Sequence, residues 1–223
     1  MAKVAAVMQP YFAPYAGYWR LLAASDVFVI YDCVQFPRRG WVHRNRFTDS
    51  AGQSQWLTLP LAHAPFDARI DSLVFAQAAA EQMAERMRPF PALRALPAAA
   101  GRYLALEAMS GRLVDYLDLQ IRAARELFGF SCEIVRSSDL AIDEALRGQD
   151  RILAILRRLG ASDYVNAPGG RDLYDADAFA AEGLALHFLS DFAGGYASTL
   201  ERLTSQSPAS LAADIRAETP ALG

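Results

Sequence analysis

Short apolar runs alternate with helical segments in the first part of the chain. Residues 3–8 (KVAAVM) and 27–31 (VFVIY) are continuous apolar runs of the length expected for buried strands. Residues 18–25 (YWRLLAAS), which lie between them, show helical spacing of their apolar positions. Two buried strands joined by a helix form a βαβ unit, so the pattern predicts a parallel pair with a right-handed crossover.

The same alternation continues toward the C-terminus. Strands are predicted at 69–73, 132–135, 163–166 and 184–189, and helices at 76–88, 97–106, 110–127, 150–159, 179–183 and 199–203. Gly129 and Gly160 follow two of these helices, where a glycine commonly caps the C-terminus. Alternating strands and helices predict an α/β fold with a mostly parallel, Rossmann-like sheet in three layers.

One segment departs from this pattern. Residues 40–47 and 55–61 each alternate between two faces, on either side of a turn that contains glycine. Such alternation predicts an antiparallel β-hairpin or two neighbouring antiparallel strands. We therefore expect a single domain, 1–223, in which the hairpin (about 40–61) and a helical segment (about 76–128) are insertions.

Composition and charge exclude several classes of protein. A net charge of −3 argues against a general nucleic-acid or membrane-surface binder. Cys33 and Cys132 lie far apart without metal-ligand spacing, as in reduced cytosolic proteins. The N-terminal apolar run is too short for a signal peptide, and no run approaches the roughly 20 residues of a membrane helix. We expect a cytoplasmic protein without a membrane span, and predict no metal and no cofactor.

Candidate chemistry gathers at the predicted carboxyl ends of strands. Four such ends carry polar or aromatic residues: 9–18, 32–35, 137–139 and 166–175. Ligands of open α/β sheets bind beyond the carboxyl ends of the strands, and parallel strands place these ends on one edge. The four segments therefore predict one site for a small-molecule substrate.

The first of these ends is rich in tyrosine. Gly17 lies near a helix N-terminus, whose free N–H groups favour anions. Tyr11 and Tyr15 offer rings that could stack on a base or a sugar, and Gln9 offers an amide. The alternative is that the aromatic residues pack in the core around a tight turn, and it applies more to Tyr18 and Trp19 than to Gln9 and Tyr15.

The second end places one acid beside a cluster of arginines. Asp32 follows an apolar strand, and Arg38, Arg39, Arg44 and Arg46 come soon after it. Guanidinium groups suit phosphate or carboxylate because their donors are planar. We expect one or two arginines to pair with Asp32 and the others to hold a ligand. The alternative is a solvated basic hairpin with one structural Asp–Arg pair.

The remaining ends are less distinctive. Residues 137–139 (SSD) are of the types preferred as helix caps, and ligand contact is the alternative. Gly169 and Gly170 would let backbone approach a ligand closely, or they form a plain turn. Neither the Walker pattern nor GxGxxG is present. His43 alternates with the arginines and is a candidate ligand contact, whereas His187 lies in an apolar strand and is expected to be structural.

Four ordered motifs resemble a known family. QPYFAPYAGYW, DVFVIYDCVQFPRRGWVHRNRF, WLTLPL and YVNAPGGRDLYDADAF together resemble the WbqC-like protein family of bacteria. The residues that fit the pattern are Gln9, Asp32, Gln35, Arg38, Trp41, Arg44, Asn45, Arg46, Gly169, Gly170, Tyr174 and Asp175. The chain departs from it at Tyr31-Asp32-Cys33, where the family tends to have two acids, and at His43, where asparagine is usual.

The resemblance implies a role in O-antigen or other surface-polysaccharide biosynthesis. The kind of activity it implies is modification of an activated amino sugar by acyl or aminoacyl transfer. The residues themselves suggest that Arg44 and Arg46 hold phosphate and that Asp32 acts as general base or orienting group. Catalysis would then rest on positioning and on electrostatic stabilisation of developing charge.

We therefore predict a transferase that acts on a nucleotide-linked or phosphorylated sugar, with Asp32 as the catalytic residue. The predicted substrate-binding residues are Gln9, Tyr11, Tyr15, Gln35, Arg38, Trp41, His43, Arg44, Asn45, Arg46, Asn166, Gly169, Gly170, Tyr174 and Asp175. One alternative is a non-catalytic protein that binds a sugar nucleotide or a pathway partner. Another is a metal-dependent hydrolase that uses Asp32, Asp139 and Asp175.

Overall fold

A five-stranded parallel sheet forms the centre of the protein, for which the computed structural model describes residues 2–219. The strands are β1 (Val4–Met8), β2 (Val27–Ile30), β3 (Arg44–Thr48), β4 (Ser54–Thr58), β5 (Glu133–Arg136), β6 (Asp163–Asn166) and β7 (Ala185–Phe188). The parallel sheet has the order β5-β2-β1-β6-β7, and β3 pairs with β4 in a separate antiparallel sheet. The predicted α/β fold with its antiparallel hairpin is confirmed.

Nine α-helices are assigned within the described residues. They are α1 (Arg20–Ala23), α2 (Ala79–Met87), α3 (Pro91–Arg94), α4 (Ala98–Leu104), α5 (Leu113–Phe128), α6 (Gly148–Leu159), α7 (Ala176–Ala181), α8 (Thr199–Arg202) and α9 (Pro208–Ala217). Gly129 and Gly160 end α5 and α6 with φ of 62° and 63°, as their glycine caps predict. No helix in residues 2–219 has the length and apolarity that crossing a membrane requires.

Helices cover both faces of the parallel sheet. Ala6 of β1 faces a core that includes Leu117 of α5 and Ile215 of α9. Its neighbour Val7 faces a second core, which includes Ile155 of α6. Because both faces are buried, the central strands carry continuous apolar runs instead of an alternating pattern. This arrangement gives the three predicted layers.

Two local predictions need correction. Residues 69–73 do not form a strand: Ile70–Ser72 is a short 3-10 helix, and Arg69 makes only an isolated bridge with Gln35. The Arg69 guanidinium donates hydrogen bonds to the Asp71 carboxylate, and the Ser72 hydroxyl donates to the backbone carbonyl of Arg69. These local side-chain bonds stabilise a turn instead of a strand. Helix α9 is additional, although Ser207 caps it and a proline opens it, both of which are helix-start signals.

The hairpin follows the predicted alternation only from Arg44 onward. Asn45, Phe47 and Leu57 are buried, as expected for one face. Trp41 was expected on that same face, but it is 41% exposed and its neighbour Val42 is buried. The reason is that strand β3 begins only at Arg44, so the residues before it do not continue the period of two.

The order of the strands creates a reversal in the middle of the sheet. The chain builds from β1 outward through β2 to β5, and then returns to the other side of β1 with β6 and β7. Loops that follow β1 and β6 therefore leave the sheet on opposite sides, and a crevice forms between them. Open α/β sheets bind ligands at such a switch point.

Candidate functional site

A cleft opens beyond the carboxyl ends of β1 and β6, and we call it the switch-point cleft. It consists of two adjoining cavities of ≈ 310 Å³ and ≈ 270 Å³, which share the side chains of Tyr11, Tyr15 and Tyr196. The first is also lined by Pro14, Trp41 and Asn45, and the second by Met8, Gly17, Tyr18, Arg20, Leu21, Ala167, Pro168, Gly169, Leu189, Asp191 and Phe192. Cavities of this size accept small molecules.

Aromatic rings form most of the cleft wall. The ring of Tyr15 lies 5.1 Å from that of Tyr196 and 5.6 Å from that of Phe192, measured between centroids. Burial raises the pKa of Tyr11 and is the first cause of the raised pKa of Tyr15. Both phenols are therefore protonated at neutral pH and can donate hydrogen bonds to a ligand.

Gly17 is required by the close packing of this wall. A Cβ atom at Gly17 would lie 2.8 Å from Cγ of Phe192 and closer still to the ring of Tyr15. No side chain fits at that position unless both rings move. The glycine predicted to help bind an anion instead brings two aromatic rings against the backbone.

Asn45 joins the hairpin to the loop that follows β1. Its Nδ2 donates to the carbonyl oxygens of Phe12 at 3.1 Å and Ala13 at 2.6 Å. The Phe12 N–H donates to the Trp41 carbonyl at 3.0 Å. These bonds place the indole of Trp41 beside the tyrosines of the first loop, so that residues from two sheets line one cleft.

Asp32 lies in a different place from the one predicted. It is fully buried, and Oδ1 accepts hydrogen bonds from Ser137 Oγ at 2.8 Å and from the Ser138 N–H at 3.0 Å. Its Oδ2 accepts from Ser138 Oγ at 2.7 Å. Strands β2 and β5 are parallel neighbours, so their carboxyl ends lie side by side. The two serines that follow β5 therefore lie next to the Asp32 carboxylate.

The predicted ion pair between Asp32 and an arginine is therefore wrong, since no described arginine lies within 4.0 Å of that carboxylate. The preference for 137–139 as a helix cap is also wrong for the two serines. The short 3-10 helix Ser137–Leu140 begins there without a side-chain cap, because both hydroxyls bind Asp32.

The hairpin arginines stabilise their own surface. Arg44 donates to the Arg39 carbonyl at 2.7 Å, and Arg38 donates to the carbonyls of residues 64 and 65. The guanidinium groups of Arg44 and Arg46 lie 4.1 Å and 4.8 Å from the ring centroid of Trp56, within the range of cation–π attraction. None of the four lines the switch-point cleft. This geometry fits the alternative prediction of a basic hairpin better than the prediction that the arginines hold a ligand. The Asp–Arg pair that was part of that alternative is not formed with Asp32 in the part of the chain that the structure describes.

His43 is a neutral, partly buried side chain. Burial first, and then the charges of Arg44 and Arg38, lower the pKa of His43 to about 4. Its ring packs edge-on to Phe36 at 4.8 Å, and its buried Nδ1 has no hydrogen-bond partner among the described residues. His43 does not line the cleft.

Only one residue of the predicted glycine loop reaches the cleft. Gly169 lines it, whereas Gly170 packs beneath the side chain of Asn166. The Tyr174 hydroxyl lies 3.3 Å from that of Tyr164, and Asp175 caps α7 by accepting the Asp177 N–H at 3.0 Å. Asn166, Gly170 and the two residues after the loop therefore have structural partners.

The two glutamines lie apart from the cleft lining. Gln9 contributes its carbonyl, which accepts the Tyr18 hydroxyl at 3.0 Å. Gln35 is exposed and lines a separate cavity of ≈ 450 Å³ together with Arg69 and Arg151. Of the predicted site residues, the structure brings together Tyr11, Tyr15, Trp41, Asn45 and Gly169 in the switch-point cleft.

The aspartates named for a metal-dependent hydrolase do not come together. Asp32 is held by serines, Asp175 caps a helix and Asp139 is exposed. Within residues 2–219, no three His, Cys, Asp or Glu side chains are grouped so that they could hold a metal ion.

Sequence reasoning missed several residues of the cleft, and among them are four that are charged or aromatic. Arg20, Asp191, Phe192 and Tyr196 all line it. Arg20 had a detectable signal, because it is the one charge in the otherwise apolar helical run YWRLLAA. The other three follow the last strand in SDFAGGY, a strand end marked by an acid, two aromatics and two glycines.

The cleft thus combines flat aromatic faces, phenol donors, a buried cation and a carboxylate. Rings can stack on a planar or sugar-like ligand, and the phenols can bind its polar groups. Of the described residues that line the cleft, Asp191 is the one carboxylate. Such a set suits a polar ligand with a ring and a negative charge.

Comparison with known proteins agrees with the motifs. The WbqC-like protein family matches residues 9–197. An uncharacterized Mycobacterium tuberculosis protein, Rv1507c, is 42% identical over 59 residues, which is 26% of this chain. The matched stretch spans 25% of the length of that relative. No solved structure matches the chain significantly. Since the family match covers most of the sequence, this protein belongs to the WbqC-like protein family.

Proposed function

We propose that the protein binds a nucleotide-linked or phosphorylated sugar in the switch-point cleft and acts on it as a transferase. The observation that carries this proposal is the position of the cleft, beyond the carboxyl ends of β1 and β6 where the strand order reverses. In open α/β sheets this is the place where nucleotides and related ligands bind.

The lining of the cleft supports a ligand that contains rings. Tyr11, Tyr15, Trp41 and Tyr196 present aromatic faces, and stacking on such faces suits both bases and the apolar faces of sugars. The two adjoining cavities share their tyrosines, so they can accept a ligand with two ring systems. A nucleotide-linked sugar has that form, with a diphosphate between its rings.

We further propose a role in bacterial surface-polysaccharide or O-antigen biosynthesis, which is the role that the resemblance of the motifs to the WbqC-like family implies. In this proposal the bound nucleotide-linked or phosphorylated amino sugar is the acceptor, and an activated acyl or aminoacyl compound is the donor. The amine attacks the carbonyl carbon of the donor and forms an amide, the bond from that carbon to the donor's leaving group breaks, and the general base takes the amine proton. Asp191 replaces Asp32 as the candidate general base, because Asp191 lines the cleft whereas Asp32 is buried behind its serine partners.

Binding of nucleotide-linked sugars by calorimetry tests the proposal. Tyr196 is 73% exposed, so Tyr196→Ala should fold normally and weaken binding about tenfold by loss of stacking. Phe66→Ala is the matched control, because Phe66 is 78% exposed and lies outside the cleft lining. The proposal is wrong if no phosphorylated sugar or nucleotide-linked sugar binds, or if both variants bind like the wild type.

A non-catalytic binding protein is the second candidate, and one observation favours it. Both oxygens of Asp32, the acid predicted to be catalytic, are already occupied by hydrogen bonds. Mass spectrometry of reactions that contain an amino-sugar acceptor and an activated acyl or aminoacyl donor distinguishes the two functions. A transferase forms product, and Asp191→Asn then lowers kcat while KM changes little. Ligand binding without product in any acceptor mixture supports the binding protein.

A further inference from the structure

We propose that Arg20 binds a phosphate group of the ligand in the switch-point cleft. This inference deepens the proposed function and rests on its site, but it requires only that the ligand carry phosphate. Three observations lead to it: the burial of the guanidinium, its incomplete set of partners, and its position on the cleft lining.

Arg20 is a buried cation with one N–H donor for which residues 2–219 offer no acceptor. Its side chain is 1% exposed; Nη1 donates to the Ser190 carbonyl at 2.8 Å and Nη2 to Ser190 Oγ at 3.0 Å. Its Nε is buried without a partner, and no carboxylate of the described residues lies within 4.0 Å of the guanidinium. A buried charge without a counterion, beside an unsatisfied donor, is costly to keep.

Comparison with Arg151 shows that this arrangement is unusual within the same protein. Arg151 is 5% exposed and also has no carboxylate partner among the described residues. However, its Nε, Nη1 and Nη2 donate to the carbonyl oxygens of Leu146, Cys33 and Glu144. Arg151 is therefore satisfied as a structural residue, whereas Arg20 keeps hydrogen-bonding capacity for a further acceptor.

The position of Arg20 identifies the kind of acceptor. It lines the cavity between the loops that follow β1, β6 and β7, close to Gly17, Gly169 and Phe192. The guanidinium carbon lies 5.9 Å from the centroid of the Phe192 ring. The planar set of N–H donors on a guanidinium binds the charged oxygens of phosphate more strongly than it binds a single neutral acceptor atom. Asp191 on the same lining repels anions, so the phosphate must be placed next to Arg20 and away from that carboxylate.

The electrostatic state of Arg20 agrees with a missing anion. Burial is the first cause of its lowered pKa, and the more distant carboxylate of Glu218 opposes that shift. A phosphate in contact with the guanidinium would compensate for the lost hydration.

The test compares phosphorylated and unphosphorylated probes by calorimetry. The probes are inorganic pyrophosphate, a nucleoside 5′-diphosphate and the corresponding nucleoside. We expect Arg20→Met to weaken binding of the two phosphorylated probes at least tenfold and to leave nucleoside binding within about twofold of wild type. Arg151→Met, a buried arginine outside the cleft, should leave the affinity for all three probes unchanged.

Arg20→Lys keeps the positive charge but lacks the planar pair of guanidinium donors. It replaces Arg20→Met in the test if that variant does not fold. It should bind pyrophosphate several-fold more weakly than wild type and the nucleoside equally well. The inference is overturned if wild type binds neither phosphorylated probe, or if the Arg20 variants bind them as tightly as wild type.

These outcomes are separate from failure of the proposed function. Pyrophosphate binding that depends on Arg20, without binding of any sugar ligand, supports the phosphate site and contradicts the sugar ligand. Binding of a nucleotide-linked sugar that depends on Tyr196 but not on Arg20 supports the sugar ligand and contradicts the phosphate site at Arg20.

Discussion

Gly170 packs so closely against Asn166 that the loop after β6 tolerates no side chain there. A Cβ atom at Gly170 would lie 3.1 Å from Cγ of Asn166 and closer still to its Nδ2. The Asn166 side chain cannot move freely, because it is buried and its Oδ1 accepts the Ala167 N–H at 2.7 Å. Glycine is needed here for space, and a sequence alone cannot separate that need from ligand access.

Gly170→Ala should lower the free energy of unfolding by about 1–3 kcal/mol, because Asn166 must turn and lose its hydrogen bond. Urea denaturation measures this change. Gly169→Ala is the matched control, since a Cβ at Gly169 meets nothing within 4 Å, and it should change stability by less than about 0.5 kcal/mol. Equal effects of the two substitutions would contradict the packing argument.

His43 makes the stability of the protein depend on pH. Burial beside Arg44 and Arg38 lowers its pKa from 6.5 to about 4 in the folded protein. Between these two values the unfolded chain binds more protons than the folded one, so acid favours unfolding. The stabilising contribution of neutral His43 is complete above the unfolded pKa and is lost as pH falls toward 4.

We expect the free energy of unfolding of the wild type to fall between about pH 6.5 and pH 4 more steeply than that of His43→Asn, which cannot titrate. A single proton contributes at most about 1.4 kcal/mol per pH unit. Urea denaturation at several pH values provides the measurement. Identical pH profiles for wild type and variant would show that His43 is not responsible.

At the scale of elements, the strands of the hairpin were predictable and the roles of its arginines were not. Alternating polar and apolar positions are a local property, and they located the hairpin. The predicted segments 40–47 and 55–61 nevertheless extend beyond the start of β3 at Arg44 and the end of β4 at Thr58. The partners of Arg44 are the Arg39 carbonyl and the Trp56 ring, which only the folded hairpin brings near. A basic cluster in sequence therefore does not reveal whether its charges face a ligand or neighbouring protein atoms.

The junction of β2 and β5 depends on one carboxylate. Asp32 accepts hydrogen bonds from the hydroxyls of Ser137 and Ser138 and from the Ser138 N–H. An acid at a strand end is a reasonable catalytic candidate from sequence alone. Its full burial among donors indicates instead that it holds two strand ends together.

Asp32→Ala should lower the free energy of unfolding by about 2–4 kcal/mol, because three hydrogen bonds are lost and the buried Ser137 hydroxyl loses its carboxylate acceptor. Chemical denaturation measures the loss. Asp139→Ala, an exposed aspartate two residues from Ser137, is the control and should be nearly neutral. If Asp32→Ala instead folds with wild-type stability but loses ligand turnover, Asp32 has the catalytic role that the sequence suggested.

At the scale of the whole molecule, the sequence predicted that the strand ends lie on one edge of the sheet. It did not predict that these ends form two separate groups. The ends of β1, β6 and β7 meet at the switch-point cleft, whereas those of β2 and β5 meet around Asp32. This division follows from the strand order β5-β2-β1-β6-β7. Apolar runs identify parallel strands, but they carry no information on which strands are neighbours. Arg20 and Tyr196 each carry a local signal in the sequence, but only the strand order shows that they line the same cleft.

The pairing of β2 with β5 has a consequence for how quickly the protein folds. Asp32 and Ser137 are 105 residues apart in sequence, and the hairpin and the long helix α5 both lie between them. Bringing such distant segments together costs loop-closure entropy before any contact compensates for it, and folding slows as contacts become more distant in sequence. The connection must become compact before the outer strand can dock. Docking of β5 on β2 is therefore expected to occur late, and the unpaired edge of β2 stays exposed to association with other chains during that interval.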